Sequence, residues 1–200
     1  MIDKMRRLEL CMKECAATFG WSLSGNCLAC SKGALSFLLL PTLEDEQINY
    51  SLSYRLTEFD RIYHAMTTAN IFPGAKIADG SQPVESWGLM SVSTAMRTIT
   101  GRADRFATAL AQRVKDPAEN LDFLRYLYAR SIRDLKPPLD YSCELILSCL
   151  LTGDFDAAEK AAAAARRNGD NGGELYDHVR SYINRYAPQE SAPQEGMSWY

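Results

Sequence analysis

The residues in this chain with the plainest capacity for chemistry are cysteines. Cys27-Leu28-Ala29-Cys30 has the C-x-x-C spacing of half a zinc site or of a redox pair, and Cys11 and Cys15 stand four apart upstream. Tetrahedral zinc wants four such soft ligands converging. A strand, however, sends Cys27 and Cys30 to opposite faces, and Cys11 and Cys15 belong to a helical pattern rather than to a second knuckle. The expectation is therefore no metal and no cofactor, with Cys27 and Cys30 kept as a zinc alternative. Cys143 and Cys149, six apart on a helix, read as packing.

His64 and His178 are the only histidines, and neither has a partner at metal spacing. H-E-x-x-H, the P-loop, G-x-G-x-x-G and the G-x-S-x-G elbow are all absent, so the chain reads as a non-enzyme. Asp154-Phe155-Asp156 looks like an acidic metal pair, but its place at a helix start makes Asp154 a cap. Glu44-Asp45-Glu46 tops a hairpin. Three adjacent acids there keep a loop solvated, face a basic partner, or hold a hard cation. Tyr126 and Tyr128, two apart on a helix, cannot both face a core. One is left exposed near Arg125 and Arg130 as an interface anchor.

The elements that position these residues follow from periodicity. Met5, Leu8, Met12, Cys15, Ala16 and Phe19 recur at helical spacing and predict a helix over 2–18, stopped by Gly20. Residues 21–26 read as a turn. Three short strands are expected at 27–31, 34–40 and 47–56, with a tight turn at Lys32-Gly33 and a polar loop over 41–46. In the third, Ile48, Tyr50, Leu52, Tyr54 and Leu56 alternate with Asn49, Ser51, Ser53 and Arg55. One face packs and the other stays wet, which implies an antiparallel sheet. Trp21, Tyr50, Tyr54 and Trp87 are expected to line the space between sheet and helix.

A helix capped by Thr57 runs to about residue 66. Residues 67–86 read as a long loop, and 87–94 as a fourth strand. Helices follow over 102–115, 118–135, 139–151, 155–168 and 174–186, the third and fourth joined through Gly153-Asp154. The expected fold class is α+β: an N-terminal helix with a small antiparallel sheet of three to four strands, then a helical C-terminal half. Residues 1–96 form the sheet-containing part, 97–187 the helical part packed against it as one domain, and 188–200 a disordered tail.

Composition narrows the function. With 46% apolar and 24% charged residues over 200, the chain can bury an ordinary core without disulfides. A net charge of −3 argues against nucleic acid as a partner. The charge is uneven: residues 41–60 sum to −4, residues 97–136 to +4 and residues 139–200 to −5. No secretory signal opens the chain, and the apolar run 35–43 falls short of the ~20 residues of a membrane span. The expected location is the cytoplasm, with reduced thiols and no membrane contact.

The layout carries a resemblance. Gly153-Asp154-Phe155-x-x-Ala158 is similar to the inter-helix turn of tetratricopeptide repeats, though a single unit makes no solenoid. The order of elements resembles small bacterial immunity proteins encoded beside polymorphic or contact-dependent toxins, most closely the uncharacterised α+β families. It runs from a helix ending Phe19-Gly20-Trp21, through paired strands with Tyr50-Ser-Leu-Ser-Tyr54, to a strand near a Trp and a helical tail. The resemblance spans about residues 5–185. It implies a protein that binds one cognate toxin or effector and blocks it without chemistry of its own. On that reading Glu44, Asp45 and Glu46, the row Asn49, Ser51 and Ser53, and Tyr126 and Tyr128 are the expected contact residues. A helical adaptor or secretion chaperone is the alternative, and a small zinc protein or enzyme the third. The sheet edge also leaves room for strand addition or a homodimer.

Overall fold

A computed structural model describes residues 2–67, 74–133 and 140–187. The expected tail at 188–200 lies outside them. The fold is mixed α+β: an N-terminal helix, a five-stranded antiparallel sheet and a helical C-terminal half. Helix α1 (Ile2–Phe19) leads into β1 (Ser22–Ser24), β2 (Cys27–Lys32), β3 (Leu35–Glu44) and β4 (Gln47–Leu56). Then come α2 (Thr57–Thr67), β5 (Ala75–Pro83), α3 (Leu89–Arg113) and α4 (Pro117–Arg133). The chain finishes with α5 (Ser142–Leu151), α6 (Phe155–Asn168), a 3₁₀ turn (Asn171–Leu175) and α7 (Tyr176–Tyr186).

The sheet is a meander in the order β1-β2-β3-β4-β5. Its register sorts the side chains by face. Leu35, Phe37 and Leu39 of β3 stand opposite Leu56, Tyr54 and Leu52 of β4, all buried. Against this face lie α1 and the long α3, whose Val92, Met96, Ile99, Ala103, Ala107 and Leu110 are buried at helical spacing. One cluster of buried side chains runs from Leu8 on α1 to Val179 on α7. Asp104 of α3 ties the helix to the sheet end, accepting from Trp21 Nε1 at 2.9 Å and pairing with Lys32 Nζ at 2.8 Å.

Four expectations change. Residues 22–24 are not a turn but a short edge strand on β2. The 41–46 loop is strand as far as Glu44: β3 and β4 stay paired to Glu44↔Gln47, leaving two turn residues. Pro41 is tolerated there because β2 stops pairing with β3 at Leu28↔Leu39, so β3 beyond it is a free edge on that side. The 67–86 loop contains β5, and residues 68–73 lie outside the description. The 87–94 strand is instead the approach to α3 and its first turns. The sheet therefore has five strands rather than three to four.

At the far end, Gly153 (φ +76°) turns the chain and the Asp154 side chain accepts from Ala157 N at 3.0 Å, capping α6 as its position predicts.

Candidate functional site

The hairpin tip between β3 and β4 carries Glu44, Asp45 and Glu46, all exposed. The Glu44 carboxylate accepts from Gln47 Nε2 at 3.2 Å. Among the described residues no lysine or arginine pairs with any of the three carboxylates. Their backbone, by contrast, is braced. Val84 N donates to Glu46 O at 2.8 Å, and Trp87 Nε1 donates to Asp45 O at 2.9 Å. Trp87 is itself held: Arg7 of α1 donates to its carbonyl, and Lys4 Nζ lies 4.5 Å from its ring centroid.

Beside the tip runs a groove of about 1070 Å³. One wall is α1, through Met5, Leu8 and Met12. The other is the free edge of β3, through Pro41, Leu43 and Glu44. Met5 is 49% exposed, so an apolar side chain stands open along this wall.

The row Asn49, Ser51 and Ser53 faces away from the core, paired across the strands with Thr42, Leu40 and Leu38 on one side and with Ser81, Asp79 and Lys76 on the other. Leu38 and Leu40 are half-buried and stand outside the core cluster. This outer face therefore mixes serines with two leucines and is continuous with Glu44 and Gln47 at the tip. Its other end is closed by α2: hydroxyls of Ser31, Ser36 and Thr57 stand 3.3 and 3.1 Å apart, and Arg55 Nε meets Asp60 Oδ1 at 2.8 Å.

The structure thus brings Glu44, Asp45, Glu46, Asn49, Ser51 and Ser53 onto one continuous surface. Tyr126 does not join them. It lies on α4, which packs on the core side through the Tyr54–Phe123 ring contact and the Tyr54–Asn120 hydrogen bond. Tyr126 is 48% exposed, and the cation over its ring is Arg113 of α3, at 5.6 Å, not Arg125, which pairs with Asp122. The Tyr128 side chain lies outside the described residues.

Cys27 and Cys30 are not brought together. Cys27 is on the outer face, its thiol donating to Ser24 O at 2.9 Å, while Cys30 packs against the core opposite Phe37. Burial pushes both thiols up, Cys30 to about 12. Cys11 and Cys15 are buried in the α1 core face. Among the described residues no three His, Cys, Asp or Glu side chains converge as metal ligands. Among the same residues no helix is long and apolar enough to cross a membrane.

Two features carry little sequence signal. The free edge of β3 is hidden behind Pro41, a residue type that ordinarily ends a strand. Glu144 is buried although ionisable, and its one signal is that it is the only charged residue type in Ser142–Leu151.

Set against protein-family models, curated proteins and solved structures, the chain matches none. Fold and surface define its class, a mixed α+β protein with a braced acidic hairpin beside an apolar groove.

Proposed function

We propose that this protein binds a cognate toxin or effector protein in the bacterial cytoplasm and blocks it without catalysis of its own. The observation that carries the reading is the pairing of a fixed backbone with exposed carboxylates at Glu44–Asp45–Glu46 that form no ion pair among the described residues. Exposed acids that serve only solubility need no bracing. Here bonds from Val84 and Trp87 hold the tip in one conformation, which lowers the ordering cost of docking. A basic active site, such as that of an enzyme acting on phosphate-bearing substrates, would be steered to such a tip and covered by it.

The neighbouring surface supports the same reading. The groove supplies apolar area beside the charges, the usual anatomy of a contact patch. The free edge of β3 offers unpaired backbone for a partner segment. Neither nucleic acid nor membrane is part of the proposal.

The test is co-expression with the product of the gene immediately upstream. The reading expects that product to be toxic alone and tolerated with this chain. It expects the triple variant Glu44→Lys, Asp45→Lys, Glu46→Lys to fold normally and lose protection. A harmless upstream product, or unchanged affinity of the triple variant, refutes it.

A further inference from the structure

On the other side of the molecule, α2, α5 and the 3₁₀ turn enclose a cavity of about 240 Å³ that opens to solvent. Glu144 of α5 lines it and is only 4% exposed. Asp140 and Glu174 are exposed lining residues, and Tyr63, Cys143 and Leu175 also face the cavity. Among the described residues, neither lysine nor arginine lines it.

The two α5-end acids differ in what they already bind. Asp140 is structural. Its Oδ1 accepts from Ser142 N at 2.9 Å and Ser142 Oγ at 2.6 Å, and its Oδ2 accepts from Asn171 N at 2.7 Å. It fixes the start of α5 against the 3₁₀ turn and so shapes the cavity. Glu144 has no such partner: among the described residues no side-chain donor or cation bonds to its carboxyl, whose one hydrogen-bond donor is its own backbone N–H. A buried carboxyl without a cation is uncommon, because desolvation disfavours its charge. The space around it is electronegative as well. The Cys143 thiol is pushed up to about 12 by burial and then by Glu144, Asp140 and Glu174.

A small hard cation needs several ligands at fixed distances, and no such convergent set exists among the described residues. An organic cation needs less: one buried carboxylate for its head and an apolar or aromatic wall for its stem. Glu144 supplies the first, Leu175 and the Tyr63 ring the second. The volume equals about eight waters at roughly 30 Å³ each, room for a short alkyl chain with its head group.

We propose that this cavity binds an organic cation, a guanidinium or primary ammonium on a short alkyl stem, with Glu144 as its counter-ion. The cation arrives either as a free molecule or as an arginine or lysine side chain of another protein. The proposal is independent of the toxin-blocking reading, since it uses none of the hairpin residues.

The test is calorimetric titration of the full chain with agmatine, butylammonium, and a capped pentapeptide carrying a central arginine, with butanol as neutral control. Saturable binding of the cations and none of butanol is expected. Tighter binding of agmatine than of the peptide assigns a free ligand, and the reverse a protein side chain. Glu144→Gln keeps the shape and removes the charge, and is expected to weaken binding by about tenfold or more. Glu174→Gln, an exposed change that leaves the fold intact, is expected to weaken it by about twofold to threefold through the lost field. No saturation by any cation at about 10 mM, where a Kd of ~1 mM would show, overturns the proposal. So does binding that Glu144→Gln leaves unchanged, or butanol binding as well as butylammonium.

Discussion

The indole of Trp87 donates to the backbone carbonyl of Asp45 at 2.9 Å, joining the residues just before α3 to a hairpin tip 42 positions earlier. Together with the Val84–Glu46 bond it makes the tip a fixed feature rather than a loop end. Trp87→Phe keeps an aromatic ring under Lys4 and removes the donor. The lost bond is exposed, so global stability should fall by only about 0.5–1 kcal/mol. Amide hydrogen exchange at residues 45–47 should accelerate several-fold while that of β2 is unchanged. Unaltered exchange at the tip would mean that Trp87 does not brace it.

Tyr54 tests how the sheet is joined to the C-terminal half. Its hydroxyl donates to Asn120 Oδ1 at 2.7 Å inside the core, and its ring meets Phe123 edge-on at 5.7 Å between centroids. Burial, and then the charge of Glu144, push the phenol well above its ordinary range. It stays a neutral donor at any working pH. Tyr54→Phe keeps the ring contacts and strands a buried amide oxygen, at a cost of about 1–3 kcal/mol. Tyr54→Phe with Asn120→Leu should recover part of that loss. A urea melt in which the single variant matches the parent would show that water satisfies Asn120.

Much of this architecture is legible in the order of residues alone, and the parts that are not share a cause. The alternation from Ile48 to Leu56 marks β4 because one face is buried and the other is not. The α1 spacing and the Asp154 cap are equally local signals. β5 is different. Ala75-Lys-Ile-Ala-Asp-Gly-Ser-Gln-Pro83 contains few strand-forming residues, and it is a strand because β4 offers it a ladder. Gly80 even has a packing reason, since a Cβ there would meet the Tyr50 hydroxyl at 2.8 Å. The start of α3 misleads in the opposite direction. Trp87, Val92 and Thr94 look strand-like, but the spacing of Val92, Met96 and Ile99 commits the chain from Leu89 onward to a helix once a sheet exists to cover, and Trp87 lies just before it. The acidic tip and the outer row of β4 are readable because charge and period two are in the sequence. That Tyr126 lies elsewhere depends on how α4 docks, which no local pattern encodes.

The thiols provide a direct check on the zinc alternative. Desolvation raises the pKa of all six cysteines, Cys30 and Cys143 to about 12. At neutral pH the thiolate fraction of Cys30 is then on the order of 1 in 100,000, too small for ready metal capture or disulfide exchange. A thiol reagent should label the folded protein slowly and all six cysteines rapidly in denaturant. Cys27→Ser with Cys30→Ser should leave metal content unchanged. One equivalent of zinc that disappears with that pair would restore the alternative.

Glu144 gives the clearest pH signature. Burial is the largest cause of its raised pKa, about 7 in the folded protein against an ordinary 4.5, with Asp140 adding to the shift. Among the described residues the titratable groups around it are Asp140 and Cys143 near its own helix, Glu174 on the 3₁₀ turn, Tyr63 on α2 and Tyr54 on β4. The lowered pKa of Asp140 places its own change below the Glu144 window, and the raised pKa values of Cys143 and Tyr54 place theirs above it. Between about pH 4.5 and 7 the folded chain keeps the Glu144 proton while the unfolded chain releases it. Protonation therefore favours the fold at low pH, and that advantage is lost as pH rises through about 7. A shift of this size corresponds to roughly 3 kcal/mol across the window. Glu144→Gln mimics the protonated form and should be more stable than the parent at about pH 8 by up to that amount. The two should converge near pH 4.5. Urea denaturation at intervals of pH measures both curves, and parallel curves would place the Glu144 carboxyl in water rather than in the cavity wall.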